Sequence, residues 1–365
     1  GRRDAALALY ERLLAVDPRC YEALGRYADL KSAAGPDPAL VKRLRRTLER
    51  PGLAVADKAT LGFALGTALD RAGAYDQAFG AYVEANRCSR ASAGPGGARY
   101  DRDQHEHFID QLIDTFDGER REASTHASTV RPIFVCGMFR SGSTLTEQVL
   151  AGHPRVTAGG EIAFLPKAVR TELAPFPTSL PQISRERLDD LAVRYLDNLA
   201  TLFPGAQYVT DKRPDNYLYI GLIKSLFPDA RIVHTRRDAL DNCLSIFFLH
   251  AGHGIPYALD LMDTAHYYRQ YRRLMAHWKR VYGDDILDFD YDEFVREPRP
   301  AVEKLLGFCG LEWEESCLSF ERQRNSVKTA SVWQVRQPLY QRSSGRAQHY
   351  AKQLEQVEAY LRDSL

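Results

Sequence analysis

The run GMFRSGST at positions 137 to 144 sets two glycines, an arginine and three hydroxyls close enough together to surround one anion. An apolar run, Ile133 to Cys136, precedes it and reads as a buried strand. TLTEQVLAG follows, with Leu145, Val149 and Leu150 at helical spacing until Gly152. Strand, tight loop and helix turn backbone N–H groups and the positive end of a helix dipole toward one point. That is the physical requirement for holding a phosphate.

Two further places carry candidate chemistry. YVTDKRPDN puts Lys212 at the end of a short strand, the carboxyl edge where ligands gather in open α/β sheets. DARIVHTRRDALDNCLSIFF continues a strand through Ile232 and Val233, ends it at Arg236 and Arg237, and opens a helix at Asp238 in the manner of an N-cap. Adjacent side chains leaving a strand point to opposite faces, so Arg236 and Arg237 do not both face one site. Ser245 follows Arg237 by eight residues.

The loop for nucleoside triphosphates, G-x-x-x-x-G-K-[ST], has the same glycine spacing, but Ser143 stands where its lysine would and Thr144 follows. Loss of that lysine removes a main contact to the β and γ phosphates. A kinase or triphosphate hydrolase is therefore disfavoured, and the loop suits a smaller anion. Arg140 supplies a planar fork of donors for its oxygens.

FRSGSTLTEQVLAGHPRVTAGGE resembles the 5′-phosphosulfate loop of sulfotransferases that use 3′-phosphoadenosine 5′-phosphosulfate (PAPS). It is most similar to that of the tyrosylprotein sulfotransferases and their tetratricopeptide-bearing bacterial relatives. The resemblance implies that Arg140, Ser141, Gly142, Ser143 and Thr144 hold the 5′-phosphate and sulfuryl group. It implies Glu161 as base toward an acceptor hydroxyl, and Lys212 on the leaving side. Arg237 and Ser245 would grip the 3′-phosphate, with Tyr291 near the nucleotide. In SVWQVRQPLYQRSSGRAQHY it implies Ser331 near the sulfuryl group and Arg346 on the 3′ side, where the nearest family members carry Lys. That exchange keeps the charge and changes the geometry. The implied donor is PAPS, the product 3′-phosphoadenosine 5′-phosphate, and no metal is required. The acceptor would be a protein or peptide tyrosine; a carbohydrate or small-molecule hydroxyl, or a nucleotide-binding scaffold without catalysis, are the alternatives.

The elements that must position these residues follow from the remaining pattern. The chain has 365 residues, 44% hydrophobic and 27% charged, enough for two domains. A formal net charge of +1 gives no reason to expect nucleic acid or an anionic membrane as partner. No apolar run reaches membrane-spanning length, and the opening GRRDAALALYERLL carries no cleavage-site pattern. The six cysteines have no paired spacing, which predicts reduced thiols, no metal site and a cytoplasmic setting.

Residues 1–88 read as Ala-rich helices. A helix, Gly73 to Tyr75 and a second helix resemble the tetratricopeptide unit, with Leu24 and Leu61 in similar places 37 positions apart. Such units stack and expose a concave surface that often takes a peptide, the protein partner expected here; a plain helical cap on the next domain is the alternative. Residues 89–129 read as a linker and connecting helix, with SRASAGPGGA as its loop. Residues 130–365 form the expected sulfotransferase domain. The fold class is α/β, a P-loop-type mostly parallel sheet flanked by helices and preceded by the all-α module. Tyr267, Tyr268, Tyr271 and Trp278, spaced along one helix, read as core. The proline-rich segment with Pro175, Pro177 and Pro181 reads as a loop near the acceptor.

Overall fold

The computed structural model describes residues 3–94, 96–97, 99–117, 129–322 and 344–362. Strands β1 (Arg131–Gly137), β2 (Val156–Ala158), β3 (Tyr208–Lys212), β4 (Ile232–Arg236) and β5 (Ile286–Asp290) form one sheet in the order β2-β3-β1-β4-β5. Every pairing is parallel. Such a sheet is buried on both faces, which is why β1 reads as a continuous apolar run. Ile133 and Val135 join a core with Val149, Leu150, Val233, Phe289 and Leu305. On the other face Phe134 stacks with Tyr195 and Phe227, at ring separations of 5.9 and 6.2 Å. Edge strand β2 carries no sequence signal, because three residues are too few to show a period.

The chain runs from β1 to β2 and β3 on one side, while β4 continues to β5 on the other. The carboxyl ends of β1 and β4 therefore flank the topological switch point, the usual ligand crevice of an open α/β sheet. Register decides what borders it: Gly137 is level with Thr235, and Val135 with Lys212.

By packing, the chain forms two compact units: Asp103–Asn242 with Tyr268–Ser344, which holds the sheet, and Gly1–Arg102 with Cys243–Tyr267 and Gly345–Leu365, which is helical. The helical unit begins Arg3–Val16, Tyr21–Ser32, Pro38–Leu48, Val55–Arg71 and Tyr75–Ser92. Small side chains allow close approach, and Ala59, Ala64, Ala68, Ala78 and Ala85 are all buried. The segment from Ser89, read as linker, is helical to Ser92, because buried Cys88 and Ser89 carry the packing past the last apolar signal. Tyr82 stacks on Phe248 at 3.8 Å, and Asn86 donates to the Phe247 carbonyl at 2.8 Å. Asp70 pairs with Arg346 at 3.0 Å and accepts from the Tyr350 hydroxyl.

In the sheet unit, β3 buries an acid. Asp211 accepts from the Tyr195 hydroxyl at 2.8 Å and from the Asn216 amide at 3.1 Å, and burial pushes its carboxyl up to about 7. A raised folded-state value means the folded chain holds this proton more tightly than the unfolded one. The stabilisation is full below pH ~4 and lost as pH rises through about 7. Asp211→Asn, which stays neutral, is expected to gain on the parent chain by roughly 3–4 kcal/mol between pH 4 and pH 8 in urea unfolding. A difference independent of pH would show that Asp211 titrates alike folded and unfolded.

Candidate functional site

The loop after β1 is held by its carbonyls. Met138 O accepts from the Ser141 N–H at 3.0 Å, Phe139 O from the Asn242 side chain at 3.1 Å, and Arg140 O from the Arg237 guanidinium at 3.4 Å. A trans peptide directs its N–H opposite its C=O, so the N–H groups of Phe139 and Arg140 face away from those partners. Arg140 has φ of 70°, the left-handed region that is disfavoured by about 1 kcal/mol or more for a residue with a Cβ. Gly142, at φ of 106°, begins the helix Ser143–Leu150, and a Cβ there would stand 2.9 Å from the Tyr291 ring. Glycine satisfies both demands. Ser143 and Thr144 are buried in the first turn of that helix.

Ser141 shapes the loop. The Thr235 hydroxyl donates to Cys136 O at 3.0 Å, which leaves its oxygen to accept from the Ser141 hydroxyl at 2.6 Å. With its N–H on Met138 O, Ser141 has both donors engaged inside the protein.

The loop after β4 approaches the same place. Arg237 lies with its guanidinium carbon 5.3 Å from the centre of the Tyr291 ring, the ring that rests on Gly142. Asp238 caps its helix as expected, accepting from the Asp241 N–H at 2.9 Å, and its own N–H donates to Asp292 at 2.8 Å. Arg236 turns aside to Asp288 at 3.5 Å. The structure thus brings Arg140, Arg237 and Tyr291 together around Gly142.

The second cluster sits at the end of β3. Lys212 Nζ donates to Glu161 Oε1 at 2.9 Å, with the lysine side chain 1% exposed and the glutamate 42%. A buried ammonium needs a compensating charge. A further acid near it was not legible as functional: Glu147 is buried, accepts from the Gly160 N–H at 2.9 Å and the Thr210 hydroxyl at 2.8 Å, and has its carboxyl pushed up by burial against the opposing pull of Lys212. Its sequence signal is its place three residues before Leu150, which puts it on that residue's inward face. Because its helix starts at the anion loop, Glu147 links that loop to the strand bearing Lys212. Gly159 is needed for the same junction, since a Cβ would stand 2.2 Å from Thr210 O.

Two further candidates belong to the helical unit, and a third cannot be placed. Ser245 is half-buried on the helix Ala239–Phe247, within the segment that packs with the helical unit. Arg346 belongs to that unit too, with its guanidinium on Asp70 and over the Phe248 ring at 5.0 Å. Ser331 lies outside the described residues. A cavity of about 630 Å³, bordered by Arg131, Tyr208, Arg231 and Phe308, is at the amino ends of the strands, opposite the anion loop.

A profile of the sulfotransferase family matches residues 132–315, half of the chain. An uncharacterized protein of Aquifex aeolicus (strain VF5) is 31% identical over 379 residues, which covers all of this chain and 48% of the Aquifex protein. The chain thus spans about half the length of that relative. Protein-tyrosine sulfotransferase 1 of Danio rerio is 24% identical over 213 residues, 52% of this chain and 56% of that protein. Among solved structures, the sulfotransferase domain of the Synechococcus PCC 7002 olefin synthase aligns with a TM-score of 0.47 at 21% identity, covering 62% of this chain and 91% of that domain.

Proposed function

The chain belongs to the sulfotransferase family, and from that premise we propose that it moves a sulfuryl group from PAPS to an acceptor hydroxyl, with a tyrosine of a peptide or protein as the acceptor. The observation that carries the reading is the convergence of Arg140, Arg237 and Tyr291 on Gly142, with Lys212 and Glu161 at the adjoining strand end. Two arginines at one switch point suit a donor with phosphates at both ends.

PAPS supplies an activated sulfur with an adenosine bisphosphate as leaving group. Arg140, with Ser143, Thr144 and the N–H groups at the start of their helix, holds the 5′-phosphate side. Arg237 holds the 3′-phosphate. Glu161 takes the acceptor's proton as the acceptor oxygen bonds to sulfur. The bond from sulfur to the bridging phosphate oxygen breaks, its electron pair stays on that oxygen, and the Lys212 ammonium neutralises it. Lys212 uses one proton toward Glu161, so two remain for the donor. Similarity to the Danio rerio protein-tyrosine sulfotransferase supports tyrosine as acceptor.

Adenosine 3′,5′-bisphosphate at a hundredfold excess over its Kd is expected to raise the melting temperature by ~5 °C, while ATP with Mg²⁺ leaves it unchanged. Offered PAPS, tyrosine peptides should gain the mass of one sulfuryl group where glycans do not. Stabilisation by Mg²⁺-ATP alone would overturn the nucleotide assignment, and sulfated glycans the acceptor.

A further inference from the structure

A chain of polar groups that the transfer chemistry does not use, half-buried at one end and buried at the other, leads to the residue after β1. Asp288 on β5 meets His234 Nδ1 on β4 at 2.7 Å, and His234 Nε2 hydrogen-bonds the Tyr271 hydroxyl. Tyr271, on the helix Leu261–Tyr282, is reached in turn by the backbone of Met138, the first residue after β1. His234 and Tyr271 are both buried.

Chemistry fixes the direction of each bond. Burial pushes the Asp288 carboxyl up, but the His234 N–H, Lys279 and Arg236 that face it outweigh this and hold it below the usual carboxylate range, so it is an anion that only accepts. His234 Nδ1 must then carry the hydrogen. Burial pushes the imidazole's own protonation down, aided by Arg236 and Arg272 and opposed by Asp288, so the ring is neutral and Nε2 is bare. The Tyr271 O–H therefore donates to Nε2, and its oxygen is left to accept the Met138 N–H. The ring itself is held edge-on by Tyr217 and Tyr268, at 4.9 and 5.5 Å.

We propose that Asp288, His234 and Tyr271 are positioning residues that set the first bend of the anion loop by binding the Met138 N–H, and so determine how well the loop receives the nucleotide. The part concerning the nucleotide rests on the function proposed above; the part concerning the loop does not. Once His234 is protonated, Nε2–H points at the phenol oxygen, and the hydroxyl hydrogen must turn away into a buried space. Affinity is then lost in acid because the loop is no longer held. Besides the groups already named, Cys136 of β1 is the titratable side chain facing Tyr271.

The test compares the full chain with Tyr271→Phe, which keeps the ring and removes the hydroxyl. Two measurements are made: amide hydrogen exchange at Met138, and affinity for adenosine 3′,5′-bisphosphate from pH 5 to 8. The parent should protect the Met138 N–H about tenfold better, the scale of one hydrogen bond. It should also bind nucleotide about tenfold more tightly near neutrality and lose that advantage in acid, whereas the variant shows only the loss that protonation of the nucleotide's own phosphates brings to both proteins. Equal Met138 exchange in the two proteins, or an advantage of the parent over Tyr271→Phe that stays constant from pH 8 to pH 5, would overturn the proposal. If the parent binds no nucleotide at any pH, the function proposed above fails and Met138 exchange still decides the relay. His234→Gln, also neutral, should remove the parent's extra acid loss and leave Met138 partly protected.

Discussion

Replacing Lys212 by methionine is expected to lower the rate of sulfuryl transfer ~10³-fold, the scale for removing a group that meets charge formed only in the transition state. The effect should fall on kcat, with affinity for adenosine 3′,5′-bisphosphate changed less than about tenfold, because the proposed phosphate contacts are those of Arg140 and Arg237. Methionine fits the buried channel that the lysine stem occupies. Of the two acids it leaves behind, Glu161 is half exposed and can hydrate, while Glu147 already has its carboxyl pushed up by burial and becomes the neutral acid. The variant should therefore fold, which urea unfolding will check. Lys212→Arg restores charge with a planar head that the same channel does not fit, so most of the loss should remain. A methionine variant within tenfold of the parent rate would remove Lys212 from the leaving side.

Glu161→Gln is expected to cut transfer by ~10²-fold or more, the usual scale of general-base catalysis, and to leave donor binding intact. The amide still accepts from Lys212 and cannot take the acceptor's proton. Because the carboxylate is solvated, stability should change by less than about 1 kcal/mol. Single-turnover measurement with prebound PAPS separates the chemical step from product release, and an unchanged single-turnover rate would exclude Glu161 as the base.

What could be read from the sequence was local. The strand, loop and helix around Gly142, the end of β3 at Lys212 and the cap at Asp238 each announce themselves within a few residues, because period and cap are short-range patterns. Their meeting at one crevice is a property of strand order, which no local pattern encodes. Glu147 reads as one polar residue of a helix until Thr210, 63 positions away, is seen to donate to it. Tyr271 reads as core aromatic, and it is buried, yet its hydroxyl matters through His234 and Met138. The resemblance puts Arg346 beside the 3′-phosphate; in the fold its guanidinium is on Asp70, 276 positions earlier. The start of a segment can be recognised by its residues, while its partner is chosen by the whole chain.

A gene fragment opening at codon 130 would not yield a self-sufficient folded piece. Phe247, Phe248, Arg346 and Tyr350 find their cover on Val55–Arg71 and Tyr75–Ser92. Stripped of those helices, the fragment would present an aromatic, sticky surface and a cation without its counterion, the recipe for insoluble product. Recombination would have to carry the first hundred or so residues together with Cys243–Tyr267 and Gly345–Leu365, so those helices are inherited with the later segments they cover.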